Sequence, residues 1–164
     1  PPRSTLFPYT TLFRSKLSGI ELEDGELSPR MKISDNPGKI TNPGAKQVWR
    51  FYDKDTGYAL ADLITLDDEE IDPNHDYEIF DPYHTWKRKT LTNFNVKKLL
   101  KPIFVKGELV YQEKDLKDIR DFCTDQLNKL WDSIKRFENP QTYYVDLSQK
   151  LWDLKQEFLA EHKQ

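Results

Sequence analysis

The spacing of apolar residues changes once along this chain, near residue 115, and that change limits the fold more than any other feature. Before it, short β-branched and aromatic runs are separated by Gly, Pro, Asn and Asp, the punctuation of strands joined by tight turns. After it, apolar residues recur three or four apart, the period of an amphipathic helix. The order implies an α+β fold. Short antiparallel strands and hairpins are expected over residues 16–114, and two C-terminal amphipathic helices over 115–164.

Residues 1–15, PPRSTLFPYTTLFRS, stand outside this pattern. They are neither helix-periodic nor alternating, and they match residue for residue the in-frame translation of a widely used sequencing-library adapter. They are read as a non-native, disordered artefact and excluded from fold reasoning. Natural sequence is then expected from Lys16. Discounting Arg3 and Arg14 makes the rest more acidic than the net −3 of the whole chain.

Within 16–114, Lys16 to Leu22 and Met31 to Ser34 are expected to pair through a two-residue Asp24-Gly25 turn. Such a turn sets position 16 opposite 33, so Lys16 and Lys32 would leave opposite faces unless a bulge near Pro29 intervened. Asp35-Asn36-Pro37-Gly38 and Asn42-Pro43-Gly44 predict a shaped loop, because Pro locks φ and Gly permits φ > 0. Gln47 to Tyr52 and Ala59 to Leu66 form a second hairpin about Asp55-Thr56-Gly57. The acidic run Asp67 to Glu70, with Asp72 and Asp76, reads as a solvated loop without calcium-loop spacing. Tyr77 to Phe80 and Lys89 to Phe94 read as strands, and Lys106-Gly107 as the turn of a small hairpin.

Asp115 is expected to cap a helix whose apolar stripe runs from Leu116 through Phe122 and Cys123 to Phe137, ended by Asn139-Pro140. Asp146 is expected to cap the second, with Gln149 completing a capping box before Leu151, Leu154 and Phe158. Cys123 then reads as a buried, inert thiol, and Trp131 with Trp152 as packing between the two helices. Both helices need a partner surface to bury their stripes.

Several function classes recede on composition. A net charge of −3 gives no bulk footprint for nucleic acid or an acidic membrane, and Lys87-Arg88-Lys89 reads as a solvated edge. With one cysteine there is no internal disulfide, and no Cys/His spacing suits structural zinc. No apolar run approaches the roughly 18 residues of a membrane span, and no signal peptide is apparent. A cytoplasmic protein fits best.

Four patterns carry a more specific signal: Lys32 to Gly44 (KISDNPGKITNPG), Lys46 to Arg50 (KQVWR), Phe80 to Thr85 (FDPYHT) and Pro140 to Ser148 (PQTYYVDLS). In that order and spacing, residues 16–164 resemble the C-terminal third of bacterial nicotinate phosphoribosyltransferases. The resemblance implies the C-terminal part of a type II phosphoribosyltransferase. The parent joins nicotinate to phosphoribosyl pyrophosphate, giving nicotinate mononucleotide in NAD salvage, with ATP hydrolysis coupled through a phosphorylated histidine and Mg²⁺ accompanying the phosphates. It further implies that the barrel with the base-binding Arg and phosphorylated His is the missing N-terminal portion, that the parent is a homodimer, and that the fragment alone binds no cofactor and is inactive.

Two residues here inherit a site role from the resemblance. Lys16 and Lys32 match lysines that look like contacts to substrate phosphates, which a compact ammonium with three donors suits. Their alternative reading is as solvated strand lysines. His84, between Tyr83 and Trp86, reads as structural or surface. The competing function is a freestanding α+β protein-binding or scaffolding module; a sibling enzyme taking the amide is a third reading, since the base pocket lies elsewhere.

Overall fold

A computed structural model describes residues 16–161. The adapter-like segment 1–15 lies outside the described residues. Compact packing divides the described chain into two units, one of residues 16–45 with 153–161 and one spanning Lys46–Trp152.

In the first unit, β1 (Gly19–Glu21) and β2 (Leu27–Pro29) form an antiparallel hairpin in which Gly19 faces Pro29 and Glu21 faces Leu27. The turn differs from the expected two-residue one. Gly25 donates to the Leu22 carbonyl at 2.9 Å and sits at φ +84°, while the Leu22 amide reaches the Glu26 carbonyl at 2.8 Å. That is a three-residue loop closed by a left-handed glycine. The extra loop residue slides the register by one position.

The expected strand Met31 to Ser34 is replaced by a closed loop. The Lys32 amide donates to the Thr41 hydroxyl at 2.9 Å, and the Thr41 amide returns to the Lys32 carbonyl at 3.2 Å. Inside the loop, Pro37–Lys39 forms one 3₁₀ turn, capped by the Asn36 side chain accepting from the Gly38 amide at 3.0 Å. Pro at the first turn position and Asn at the cap are the residues this geometry asks for.

The second unit is built on a four-stranded sheet of order β10-β4-β3-β7, from β3 (Lys46–Asp53), β4 (Ala59–Leu66), β7 (Phe94–Lys98) and β10 (Val145–Leu147). The β3–β4 hairpin forms as its sequence predicts, with Gly57 at φ +72° in the turn. Strands β5 (Tyr77–Asp81) and β6 (His84–Leu91) make a separate hairpin. The expected strand Lys89 to Phe94 is cut by Asn93 at φ +48°, so Leu91 ends one strand and Phe94 begins the next. The small hairpin is β8 (Phe104–Val105) and β9 (Glu108–Leu109), with Lys106 and Gly107 both at positive φ as a primed turn requires.

Trp49, Phe51, Leu63, Ile71, Ile79, Leu91 and Phe94 make the core. Phe51 meets Phe94 edge to face at 4.8 Å, and the Trp49 indole N–H donates to the buried Thr65 hydroxyl at 3.0 Å. The acidic loop after β4 is more engaged than a solvated run. Glu69 accepts from the Leu66 amide and the Ser148 hydroxyl, and Lys150 bonds Asp68.

The helices depart most from expectation. The first, α1 (Leu116–Asn128), is capped by Asp115 as predicted, its side chain accepting from the Asp118 amide at 2.8 Å. It ends nine residues early, because Trp131 leaves the helical path to stack on Tyr58 at 4.4 Å; only a short α2 (Asp132–Lys135) follows. Its polar side faces the sheet: Tyr52 donates to the Gln126 side chain at 3.0 Å and the Ala59 amide to the Lys129 carbonyl at 2.8 Å. Leu116, Ile119, Phe122 and Leu127 consequently stay exposed, and so does Cys123, which is not the buried thiol expected.

The last helix, α3 (Gln149–Glu161), is capped by Ser148, not Asp146; the Ser148 hydroxyl accepts from Leu151 at 3.2 Å. Asp146 lies in β10, which runs parallel to β4, an element the sequence did not suggest. Trp152 contacts Phe80 edge to face at 5.9 Å, so the two tryptophans serve different neighbours.

Two outcomes test this packing. Phe51→Ala, at a side chain with 0% exposure, is expected to cost about 3 to 5 kcal/mol, read as a lowered denaturant midpoint. Cys123 in the native chain is expected to react with an aromatic disulfide reagent as fast as it does in denaturant; protection would place the apolar side of α1 against protein.

Candidate functional site

The two lysines that inherit a site role sit in the first unit. Lys16 precedes β1 and Lys32 follows β2, both exposed. The one-residue register shift changes their relation. Pairs in the hairpin run Gly19 with Pro29 and, through the Arg30 amide on the Ser18 carbonyl at 2.9 Å, Ser18 with Arg30. Continued past the end of the ladder, the same register sets position 32 opposite 16, not 33 opposite 16. The ladder itself ends at Pro29, and Lys32 lies beyond it in the loop closed by Thr41. Among the described residues, neither ammonium donates to a neighbour.

Their surroundings are held by backbone bonds and by the half-buried Lys155. The Ser18 carbonyl also accepts from the Gly44 amide at 2.6 Å, and Gly44 takes φ +78°. Lys155 donates to the Asn42 side chain at 2.9 Å, and burial lowers its ammonium pKa. The stretch from Lys32 to Gly44 is therefore anchored at 32, 41, 42 and 44.

In the second unit the charged groups converge on Asp62. Arg50 grips its carboxylate with two bonds, Nε to Oδ1 at 2.7 Å and Nη2 to Oδ2 at 2.8 Å, and the Tyr143 hydroxyl adds a third at 2.9 Å. The hydrogen bond to Asp62 is the main cause raising the Arg50 pKa, while burial, then the Asp62 charge, raises that of Tyr143. This fork geometry fixes planar groups rather than leaving one poised to react. It is a structural clamp.

A second pair lies at the β5–β6 turn. Asp81 accepts from the amides of Tyr83 at 2.8 Å and His84 at 3.2 Å, and from the His84 ring at 2.9 Å. The His84 bond is the largest of the influences holding the Asp81 carboxyl below its ordinary range. His84 thus has a structural partner, as expected. Lys87, Arg88 and Lys89 are exposed on β6, with Arg88 paired to Glu78. Asp146 is different: burial, then the Asp81 charge, pushes its carboxyl up to about 6.

The family model of the nicotinate phosphoribosyltransferase C-terminal domain matches residues 45–155. The chain belongs to this family. The nicotinate phosphoribosyltransferase of Bacillus subtilis (strain 168) is 40% identical over 148 residues, which cover 90% of this chain and 30% of that protein. The Dictyostelium discoideum protein of the same name is 32% identical over 135 residues, covering 77% and 23%. The crystal structure of human nicotinic acid phosphoribosyltransferase superposes with a TM-score of 0.68 at 26% identity, over 80% of this chain and 25% of that one. The chain thus spans less than a third of these relatives' length. Within the family match, Arg50 of KQVWR and Tyr143 of PQTYYVDLS meet on Asp62, so two of the four motifs are explained by one clamp.

Two measurements test these assignments. Asp62→Ala is expected to cost about 3 to 5 kcal/mol, since it strands a half-buried guanidinium. Asp146 has a folded pKa above the unfolded value, so the native state holds its proton more tightly and stability falls as pH rises from about 4 to about 6. Asp146→Asn should remove that component, leaving a denaturation profile flatter by up to about 1.4 kcal/mol per pH unit. Identical profiles for the two proteins would refute the shifted carboxyl.

Proposed function

We propose that this chain supplies the C-terminal domain of an enzyme that joins nicotinate to phosphoribosyl pyrophosphate, in which Lys16 and Lys32 contact substrate phosphates. In that reaction the nicotinate ring nitrogen attacks the ribosyl anomeric carbon and pyrophosphate leaves, giving nicotinate mononucleotide. ATP hydrolysis and Mg²⁺ belong to the whole enzyme. Its setting is the cytoplasm of a bacterium, and its assembly a homodimer. No helix among the described residues is long and apolar enough to cross a membrane.

The observation that carries the lysine assignment is the hairpin register, which sets 16 opposite 32 when continued past the ladder. Two exposed ammonium groups, unpaired with carboxylates among the described residues, offer donors to a polyanion at little desolvation cost. Next to them, the anchored Lys32–Gly44 segment holds its backbone fixed, which lowers the entropy lost on binding. Among the described residues no three His, Cys, Asp or Glu side chains converge as they would to hold a metal ion. Nor do the two described-chain aspartate–histidine pairs, Asp72 with His75 and Asp81 with His84, form a phosphate cradle.

Phosphoribosyl transfer needs preorganised charge at the developing oxocarbenium and at the leaving pyrophosphate. Two lysines supply a share of that charge and no base pocket. The 164-residue chain is therefore expected to form no nicotinate mononucleotide above an enzyme-free blank, and measurable turnover would sink this reading. In the Bacillus subtilis relative, alanine at the positions matching Lys16 and Lys32 should each raise the KM for phosphoribosyl pyrophosphate by roughly ten-fold, the worth of one charge-assisted contact. An unchanged KM would return that lysine to solvent.

A further inference from the structure

Beside the β5–β6 turn, within the Lys46–Trp152 unit, lies a groove of about 570 Å³ that the phosphoribosyl reading does not use. A neighbouring hollow of about 310 Å³ shares Asp81, Lys87, Tyr144 and Asp146 with it. The shared floor is where the unusual group sits.

Asp146 is only 3% exposed, yet among the described residues no N–H or O–H donates to its carboxylate. No fully enclosed side-chain oxygen or nitrogen among those residues lacks a partner, so the Asp146 oxygens must keep their remaining access to the groove. A buried carboxylate without donors is costly, and in native folds such a group is paired or takes a ligand.

The neighbours do not fill the role. Asp81 is itself negative, with its oxygens taken by the Tyr83 and His84 amides and the His84 ring. Arg88 bonds Glu78 and lies over the Phe80 ring at 5.3 Å. Lys89 lies over the Tyr144 ring at 5.8 Å, and Lys87, though it lines both hollows, forms no ion pair with either carboxylate. What the site lacks is specific. Cations line the hollows, Lys87 both and Arg88 with Lys89 the smaller, yet none bonds the Asp146 carboxylate, which faces the aromatic wall of Tyr144 without a donor.

We propose that this groove binds a guanidinium-type cation, its N–H groups on the Asp146 carboxylate and its plane against Tyr144. A guanidinium fits on three counts: its paired N–H groups match both carboxylate oxygens, its plane stacks on an aromatic face, and it is shed from water more readily than an ammonium. The Lys89 ammonium over Tyr144 marks that ring as a surface on which a cation already rests. The site is independent of the lysines assigned to phosphate, which lie in the other unit.

The test is an amide NMR titration of the 164-residue chain with methylguanidinium, a capped Gly-Arg-Gly tripeptide and N-methylpyridinium. Methylguanidinium is expected to give saturable shifts confined to residues 81–87 and 143–147, weakened roughly ten-fold or more in Asp146→Asn, the loss of one charge-assisted pair. Tighter binding of the free cation than of the tripeptide assigns the groove to a small molecule; the reverse assigns it to an arginine on another chain segment. Both support the shared chemistry. The proposal falls if methylguanidinium does not saturate, if Asp146→Asn binds as well, or if N-methylpyridinium, which has charge and a flat face but no N–H, binds equally. Should Asp146→Asn fail to fold, the wild-type contrast between methylguanidinium and N-methylpyridinium decides alone. Loss of the phosphate assignment would leave this result untouched.

Discussion

The second unit is organised around the carboxylate of Asp62. It sits on β4, one of the two inner strands of the sheet, and it draws a guanidinium from the other, β3, and a phenol from the segment entering β10. A charge this deep in a sheet is tolerable because three donors replace the water it lost. Tyr143 reaches Asp62 just before the chain pairs with β4 in parallel over Val145–Leu147. The parallel strand then delivers Asp146 to the groove and Ser148 to the start of α3.

Local chemistry in the sequence was sufficient wherever a turn or cap decides the structure by itself. Gly57, Lys106-Gly107, the Asn36 cap and the Asp115 cap all stand where their side chains and φ preferences require. Tertiary contacts decided the rest. Asp146 carries a good capping signature, yet it pairs with Leu63 in the parallel strand, and Ser148 caps the helix. The apolar period through Phe137 is real, but the Tyr58–Trp131 stack interrupts it. Asp24-Gly25 does mark a turn; what the dipeptide does not reveal is that Glu23 joins it.

The site was legible in part. Lys16 and Lys32 were recognisable only by resemblance, since nothing in their own context distinguishes them from solvated strand residues. The register of their hairpin depends on a single extra loop residue, which periodicity cannot resolve. The Asp146 groove had no signal of its own beyond two motifs, FDPYHT and PQTYYVDLS, far apart in sequence. Their proximity needs the parallel strand, and parallel pairing leaves no local trace.

Family membership also gives the outward apolar side of α1 a physical context. Leu116 at 71% exposure and Phe122 at 51% are poor surface residues for an isolated domain, and they occur in a chain that spans less than a third of its relatives' length. The hairpin of the first unit shows the opposite economy. The oxygen of Ser18 holds both the Arg30 and Gly44 amides, so the distance between hairpin and Asn-Pro-Gly turn is set by atoms that every amino acid possesses. Side chains at 18 and 30 are thereby released from maintaining that geometry, and sequence drift there can proceed without moving either lysine. Only a residue lacking an amide hydrogen at position 30 would sever the link from that side.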